Sequence, residues 1–139
     1  MNGRIRHCAS FVLALAAVCS VAAAESYPAW TYRTHVRLQN AAGSENLADF
    51  PVLVKLSAAN FDFAKASATG SDIRFTDRFG TPLSYEIERW DSGAQQAAVW
   101  VKVPQVDKTS AVNYVNLYHG NAAAADAQSP ADVWSNGYK

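Results

Sequence analysis

The strongest constraint on this chain is a period of two. Side chains on a strand point alternately to opposite faces, so alternating apolar and polar residues mark a strand buried on one side. From Trp30 to Leu38, Trp30, Tyr32, Val36 and Leu38 share one face, while Arg33, His35 and Arg37 take the other. Val52 to Leu56 is a short apolar run with Pro51 at its first position, where a missing N–H is tolerated. Ile73 to Thr76, Leu83 to Asp91 and Ala97 to Val103 read as further strands. Val112 to His119 is apolar on both faces and so reads as a central strand. Asp77-Arg78-Phe79-Gly80 is a turn, and Ser92 to Gln96 a hairpin loop of ordinary length. Asn60 to Gly70 has no clear period and room for one helical turn. Ser129-Pro130-Ala131-Asp132 has the grammar of a short helix start, with Ser as N-cap and Pro in the first turn. The expected fold is all-β: an antiparallel β-sandwich, jelly-roll-like, with a short helical turn near the C-terminus.

The first 24 residues follow another pattern. Arg4, Arg6 and His7 make a positive start, Phe11 to Val21 is apolar apart from Ser20, and Ala22-Ala23-Ala24 supplies small residues for cleavage. Residues 1–24 are therefore expected to be a signal peptide and residues 25–139 a single β-sandwich domain, exported to the periplasm, the cell surface or the medium. Cys19 invites a lipoprotein reading, but Val18 stands where a small residue belongs. Cys8 and Cys19 leave with the leader, which removes any disulfide scaffold, thiolate metal site or cysteine nucleophile from the mature chain. Arg4 and Arg6 leave too, so no basic excess remains for a nucleic-acid partner. No mature stretch approaches the ~20 apolar residues that span a bilayer.

Several segments, in order, carry a resemblance: Trp30 to Arg33, Phe50 to Val54, Ser71 to Phe75, Pro82 to Glu88, Val99 to Pro104, Leu117 to Asn121 and Val133 to Tyr138. Together they resemble the bacterial and archaeal domain-of-unknown-function family 2341. The resemblance implies an exported module that precedes a concanavalin-A/laminin-G-like lectin domain, or that forms the extracytoplasmic part of proteins with an ExbB/TolQ-type proton channel. It implies no activity and no catalytic residues. His119 departs from the family, whose members tend to carry a second aromatic there. Relatives run on past the Asn-Gly-Tyr segment into a further domain, so a chain ending at Lys139 is expected to be a truncated product, a fragment or a free-standing version of the module.

Candidate chemistry concentrates on Glu86-Ile87-Glu88-Arg89-Trp90-Asp91. Retaining glycoside hydrolysis needs two carboxyl groups about 5–5.5 Å apart. Glu86 and Glu88 share a strand face, with Asp91 pointing away unless the strand bulges. The simpler reading makes these acids the wet face of a half-buried strand, with no catalytic residue. If Ser92 to Gln96 is the hairpin loop, Asp91 pairs with Ala97, Arg89 with Val99, Ile87 with Val101 and Tyr85 with Val103. Glu86 then lies opposite Lys102, and Glu88 opposite Trp100. Trp30, Tyr32 and Tyr85 share parity with aliphatic residues and are expected in the core. Trp90 and Trp100 fall on the other parity, so Glu88, Trp90 and Trp100 form the expected ligand platform. Trp134 and Tyr138 are expected to pack back onto the sandwich if the module is complete, and to be partly exposed with mobile last residues if the chain is a fragment.

His35 and His119 lack a partner at zinc-ligand spacing. Asp49, Asp72 and Asp77 suggest calcium, but no single loop gathers enough oxygens, so no metal site and no cofactor are expected. Three functional classes follow. A non-catalytic envelope binding or interaction module, for a glycan or an envelope protein, leads. A structural spacer docking onto a downstream lectin-like domain or an ExbB/TolQ-type transport assembly is the alternative, and a glycosidase-like enzyme comes third.

Overall fold

The computed structural model describes residues 26–40, 43–109 and 113–137. The expected signal peptide and Tyr138 lie outside them. Seven strands form among the described residues: β1 (Tyr32–Arg37), β2 (Leu47–Ser57), β3 (Arg74–Thr76), β4 (Pro82–Leu83), β5 (Tyr85–Asp91), β6 (Gln96–Val106) and β7 (Tyr114–His119). They make two antiparallel sheets, ordered β1-β7-β3-β4 and β2-β6-β5. A 3-10 turn spans Phe63–Lys65, and a four-residue helix, α1, spans Pro130–Val133. The all-β sandwich with a late helical turn is what the alternation called for.

The core forms where the two inward parities meet. Val54 and Leu56 of β2 and Val99, Val101 and Val103 of β6 face Phe75, Val115 and Leu117 of the other sheet, all buried. Burying each such side chain is worth about 1.5–3 kcal/mol, which is why this parity is held so strictly along β6. β7 is central and buried on both faces. Its second face carries Asn116 and Tyr118; Asn116 donates to Thr76 Oγ1 and the Asp77 carbonyl, and Tyr27 packs edge-on against Tyr118 at 5.3 Å. Trp30 joins that covering layer, edge-on to Tyr27 and beneath the Arg74 guanidinium. Of the three aromatics expected in the core, only Tyr85 is there, its hydroxyl donating to the Ile73 carbonyl at 2.8 Å. Trp30 precedes β1 and follows the bend before it. Tyr32 sits at the sheet's end, 37% exposed.

Two strands differ from the pattern read in the sequence. The run Leu83 to Asp91 is divided at Ser84, so that β4 belongs to one sheet and β5 to the other. The Ser84 carbonyl accepts from the Lys102 N–H at 3.0 Å as the chain changes sheets. β2 extends well before Val52, and Pro51 lies inside it, which an edge strand permits. The turn at Asp77 is as expected: its carboxylate accepts from the Phe79 and Thr81 N–H groups, and Gly80 takes φ +91°.

Gly70 is the tightest backbone constraint. It has φ +72°, and a Cβ there would lie 2.6 Å from the Trp90 ring. Gly70→Ala is therefore expected to cost at least ~1–2 kcal/mol for the backbone alone, with overpacking added. A lowered urea midpoint at unchanged slope would show this, and an unchanged midpoint would contradict the close approach.

Candidate functional site

The geometry of the site begins with the β5–β6 ladder. Tyr85 pairs with Val101, Glu86 with Trp100 and Ile87 with Val99, but Arg89 pairs with Ala98 and Trp90 with Ala97. The register shifts between Ile87 and Arg89, which makes Glu88 the extra residue of a β-bulge. The hairpin loop is correspondingly Ser92 to Gln95, closed by Asp91, whose carboxylate accepts from the Ala94 N–H at 2.8 Å. That bond, with Arg89 adding to it, holds the Asp91 carboxyl below its ordinary pKa.

The bulge corrects the expected platform. Past Glu88 the parity of β5 inverts, so Trp90 follows Ile87 to the core side instead of joining Trp100. Its ring packs edge-on against Phe61 at 5.9 Å and Phe63 at 5.3 Å. The expected pairs also change: Glu86, not Glu88, lies opposite Trp100, and Lys102 reaches Ser135 Oγ at 2.8 Å. Glu88 and Trp100 still meet, because the indole N–H of Trp100 donates to the Glu88 carboxylate. Trp134 likewise donates to Glu86, and the two indoles pack edge-on at 5.2 Å. Asp91 lies 3.4 Å from Arg89. Each acid of the candidate catalytic run thus has a structural partner.

These contacts form a strap. After α1 the chain crosses the outer face of the three-stranded sheet, Trp134 tied to β5, Ser135 to β6, and Asn136 to the Asp49 carbonyl of β2. Trp134 lies half-buried against this face, and Tyr138, the other ring of that expectation, lies outside the described residues.

A second set of rings builds an open cleft at the other side of Trp90. Phe61 touches Phe63 at 5.0 Å and His119 at 4.6 Å, and Tyr32 stacks on His119 at 5.2 Å with the planes 24° apart. The Lys65 ammonium lies 4.9 Å above the Tyr32 ring and 3.4 Å from Asp62. Asp62 caps the 3-10 turn by accepting from the Ala64 N–H. The cleft measures about 740 Å³ and is lined by Tyr32, Asn60, Asp62, Lys65, Gln95 and His119, among others. Among the described residues, Asp62 is the one carboxylate in its lining. None of these residues except His119 and Tyr32 stood out in the sequence. The signal that was available is Phe61-Asp62-Phe63, two rings flanking an acid in a stretch without period.

Asp72, considered for calcium, is buried, and its oxygens are taken up by backbone donors: Ser67 at 2.8 Å, Gly120 at 2.8 Å and Asn121 at 3.2 Å. Asp77 caps its turn. Among the described residues no three His, Cys, Asp or Glu side chains converge as metal ligands, and no helix is long and apolar enough to cross a membrane.

Comparison with known proteins adds one result. Residues 69–136 match the model of the family described as Domain of unknown function (DUF2341). The DUF2341 match runs from before β3 through α1 and supports the resemblance carried by those segments. It includes the bulge, Trp100 and His119, while β1, β2 and Phe61 to Lys65 lie outside it. No curated protein and no solved structure matches the chain.

His119 gives the site a pH signature. Burial pushes its imidazole below the ordinary value of 6.5, outweighing the Lys65 carbonyl at 3.4 Å and the carboxylates of Asp72 and Asp62. Between the lowered folded pKa and 6.5, the unfolded chain binds more protons than the folded one. This contribution to stability is therefore complete above pH ~6.5 and is lost as the pH falls toward the folded value. Urea midpoints measured downward from pH 7.5 are expected to fall less steeply for His119→Phe than for the natural protein across that window. Parallel curves would show that the ring is not held neutral by its surroundings.

Proposed function

We propose that this chain is an exported, non-catalytic binding module of the cell envelope, and that its ligand is a saccharide held in the Tyr32 cleft. The observation that carries this reading is the exposed Tyr32 ring, fixed from beneath by His119 and set in an open cleft of about 740 Å³. The part of the ring that stays exposed, beside the Lys65 ammonium that lies over it, offers a sugar an apolar surface next to a charged donor. Asn60, Asp62, Lys65 and Gln95 supply donors and acceptors around it. A single carboxylate in the lining among the described residues suits recognition, since glycoside hydrolysis ordinarily uses two. Export is supported by the leader pattern of residues 1–24.

The alternative, a structural spacer for a downstream lectin-like domain or an ExbB/TolQ-type assembly, is favoured by the strap that ties Trp134, Ser135 and Asn136 across all three strands of one sheet. A spacer needs such an anchored end.

Calorimetric titration with soluble glucans, xylans and peptidoglycan glycan strands separates these readings. Tyr32→Ala is expected to weaken binding by about tenfold or more, equivalent to ~1.4 kcal/mol, while Trp100→Ala leaves it unchanged. Absence of binding across the panel, or binding indifferent to Tyr32→Ala, would overturn the saccharide reading. Loss on Trp100→Ala alone would move the ligand to the outer face.

A further inference from the structure

An asparagine that precedes a glycine can lose its side-chain amide without an enzyme. The backbone nitrogen of the following residue attacks the side-chain carbonyl carbon, and a cyclic imide forms as ammonia leaves. A side chain on that following residue obstructs the attack, and glycine has none. Between residues 25 and 139, every asparagine but one is followed by alanine, leucine, phenylalanine or tyrosine. The exception is Asn136, before Gly137.

The fold puts this pair at the end of the strap. Asn136 and Gly137 are both exposed, so water reaches them. A Cβ on Gly137 would meet no atom of the described residues within 4 Å, so the approach to its nitrogen is open. Two hydrogen bonds restrain the pair. The Gly137 N–H donates to the Trp134 carbonyl at 3.1 Å, with Gly137 at φ +81°. That bond engages the nitrogen that must attack, so the closed strap slows the reaction and each local opening permits it. The second bond runs from the Asn136 side-chain amide to the Asp49 carbonyl of β2. The group that ties the strap to β2 is therefore the group that the reaction removes.

We propose that Asn136 is a self-modifying site, and that its conversion to aspartate or isoaspartate unties the end of the strap from β2. The Gly137 nitrogen forms a bond to Asn136 Cγ, the Cγ–Nδ2 bond breaks, and the proton of that nitrogen leaves with the amine as ammonia. Water then opens the imide. Opening on the side-chain side gives aspartate, and opening on the main-chain side gives isoaspartate. In either product a carboxylate replaces the amide, and an ionised carboxylate only accepts hydrogen bonds. Set against the Asp49 carbonyl, it exchanges an attraction for a repulsion. Ser135 on Lys102 and Trp134 on Glu86 are the strap's remaining ties among those that link it to the sheet.

The test holds the full mature chain in warm, mildly alkaline buffer and follows it by peptide mapping. The peptide with Asn136 is expected to gain the mass of an amide-to-acid exchange about tenfold or more faster than those with Asn46, Asn60 or Asn121. Isoaspartate should appear at residue 136. Asn136→Gln sets the carbonyl one methylene farther from the attacking nitrogen and should resist conversion. Amide hydrogen exchange reads the strap. At Ser135 and Gly137 it is expected to be about tenfold or more faster in the converted protein and in Asn136→Asp than in fresh protein, with the β6 amides unchanged. Conversion of Asn136 no faster than at the other three asparagines, or equal conversion of Asn136→Gln, would overturn the modification site. Strap amides that exchange alike before and after conversion, and alike in Asn136→Asp, would overturn the untying.

Discussion

One extra residue in β5 decides which rings this domain buries and which it shows. With Glu88 bulged out of the ladder, Trp90 turns inward and Trp100 stays outward. From Trp90 a continuous series of ring contacts runs through Phe61 and Phe63 to His119, and from His119 to Tyr32. The cleft wall is the far end of that series. Without the bulge, Trp90 would stand beside Trp100, and nothing of its size would support Phe61 and Phe63 from below.

The inward turn has a cost and a gain. The Trp90 Nε1 is buried with no acceptor among the described residues, and an unsatisfied buried donor costs about 1–3 kcal/mol. Against this stand the burial of a large aromatic surface and its contacts with two phenylalanines. Gly70, with no side chain, lets the ring approach its backbone. The outward tryptophans follow the opposite economy. Trp100 and Trp134 each place the indole N–H on a glutamate, so the polar atoms of the outer face are satisfied among themselves and the chain after α1 is fixed in place. Acids that looked suited to chemistry in the sequence serve here to hold two rings.

Much of the fold was legible because β6 and β7 obey a period that one buried face enforces. Val99, Val101 and Val103 alternate with Trp100 and Lys102 without interruption, and a central strand such as β7 is buried on both sides, its polar Asn116 being hydrogen-bonded. The turn at Asp77 and the helix start at Ser129 were legible from local backbone chemistry. The bulge was not, because a ladder read by parity assumes that no residue is skipped. Its trace is the spacing from Ile87 to Trp90, an odd step between two apolar residues in a strand that otherwise steps by two. The exchange of sheets at Ser84 was hidden for a related reason: alternation continues through it while the partner strand changes. Tyr32 shares parity with the core yet lies at the sheet's end, where parity no longer means burial. Phe61 to Lys65 has no period at all, so its place beside His119 is set wholly by tertiary packing.

The bulge itself is open to a direct measurement: the pattern of nuclear Overhauser effects from the Trp90 indole in the folded protein. The shifted register requires close proton contacts from Trp90 to the Phe61 and Phe63 rings and to the Gly70 α-protons, together with contacts between Phe61 and His119. Contacts from Trp90 to the Trp100 ring, with none to Phe61 or Phe63, would mean an unbulged ladder and would remove the support on which the cleft is built.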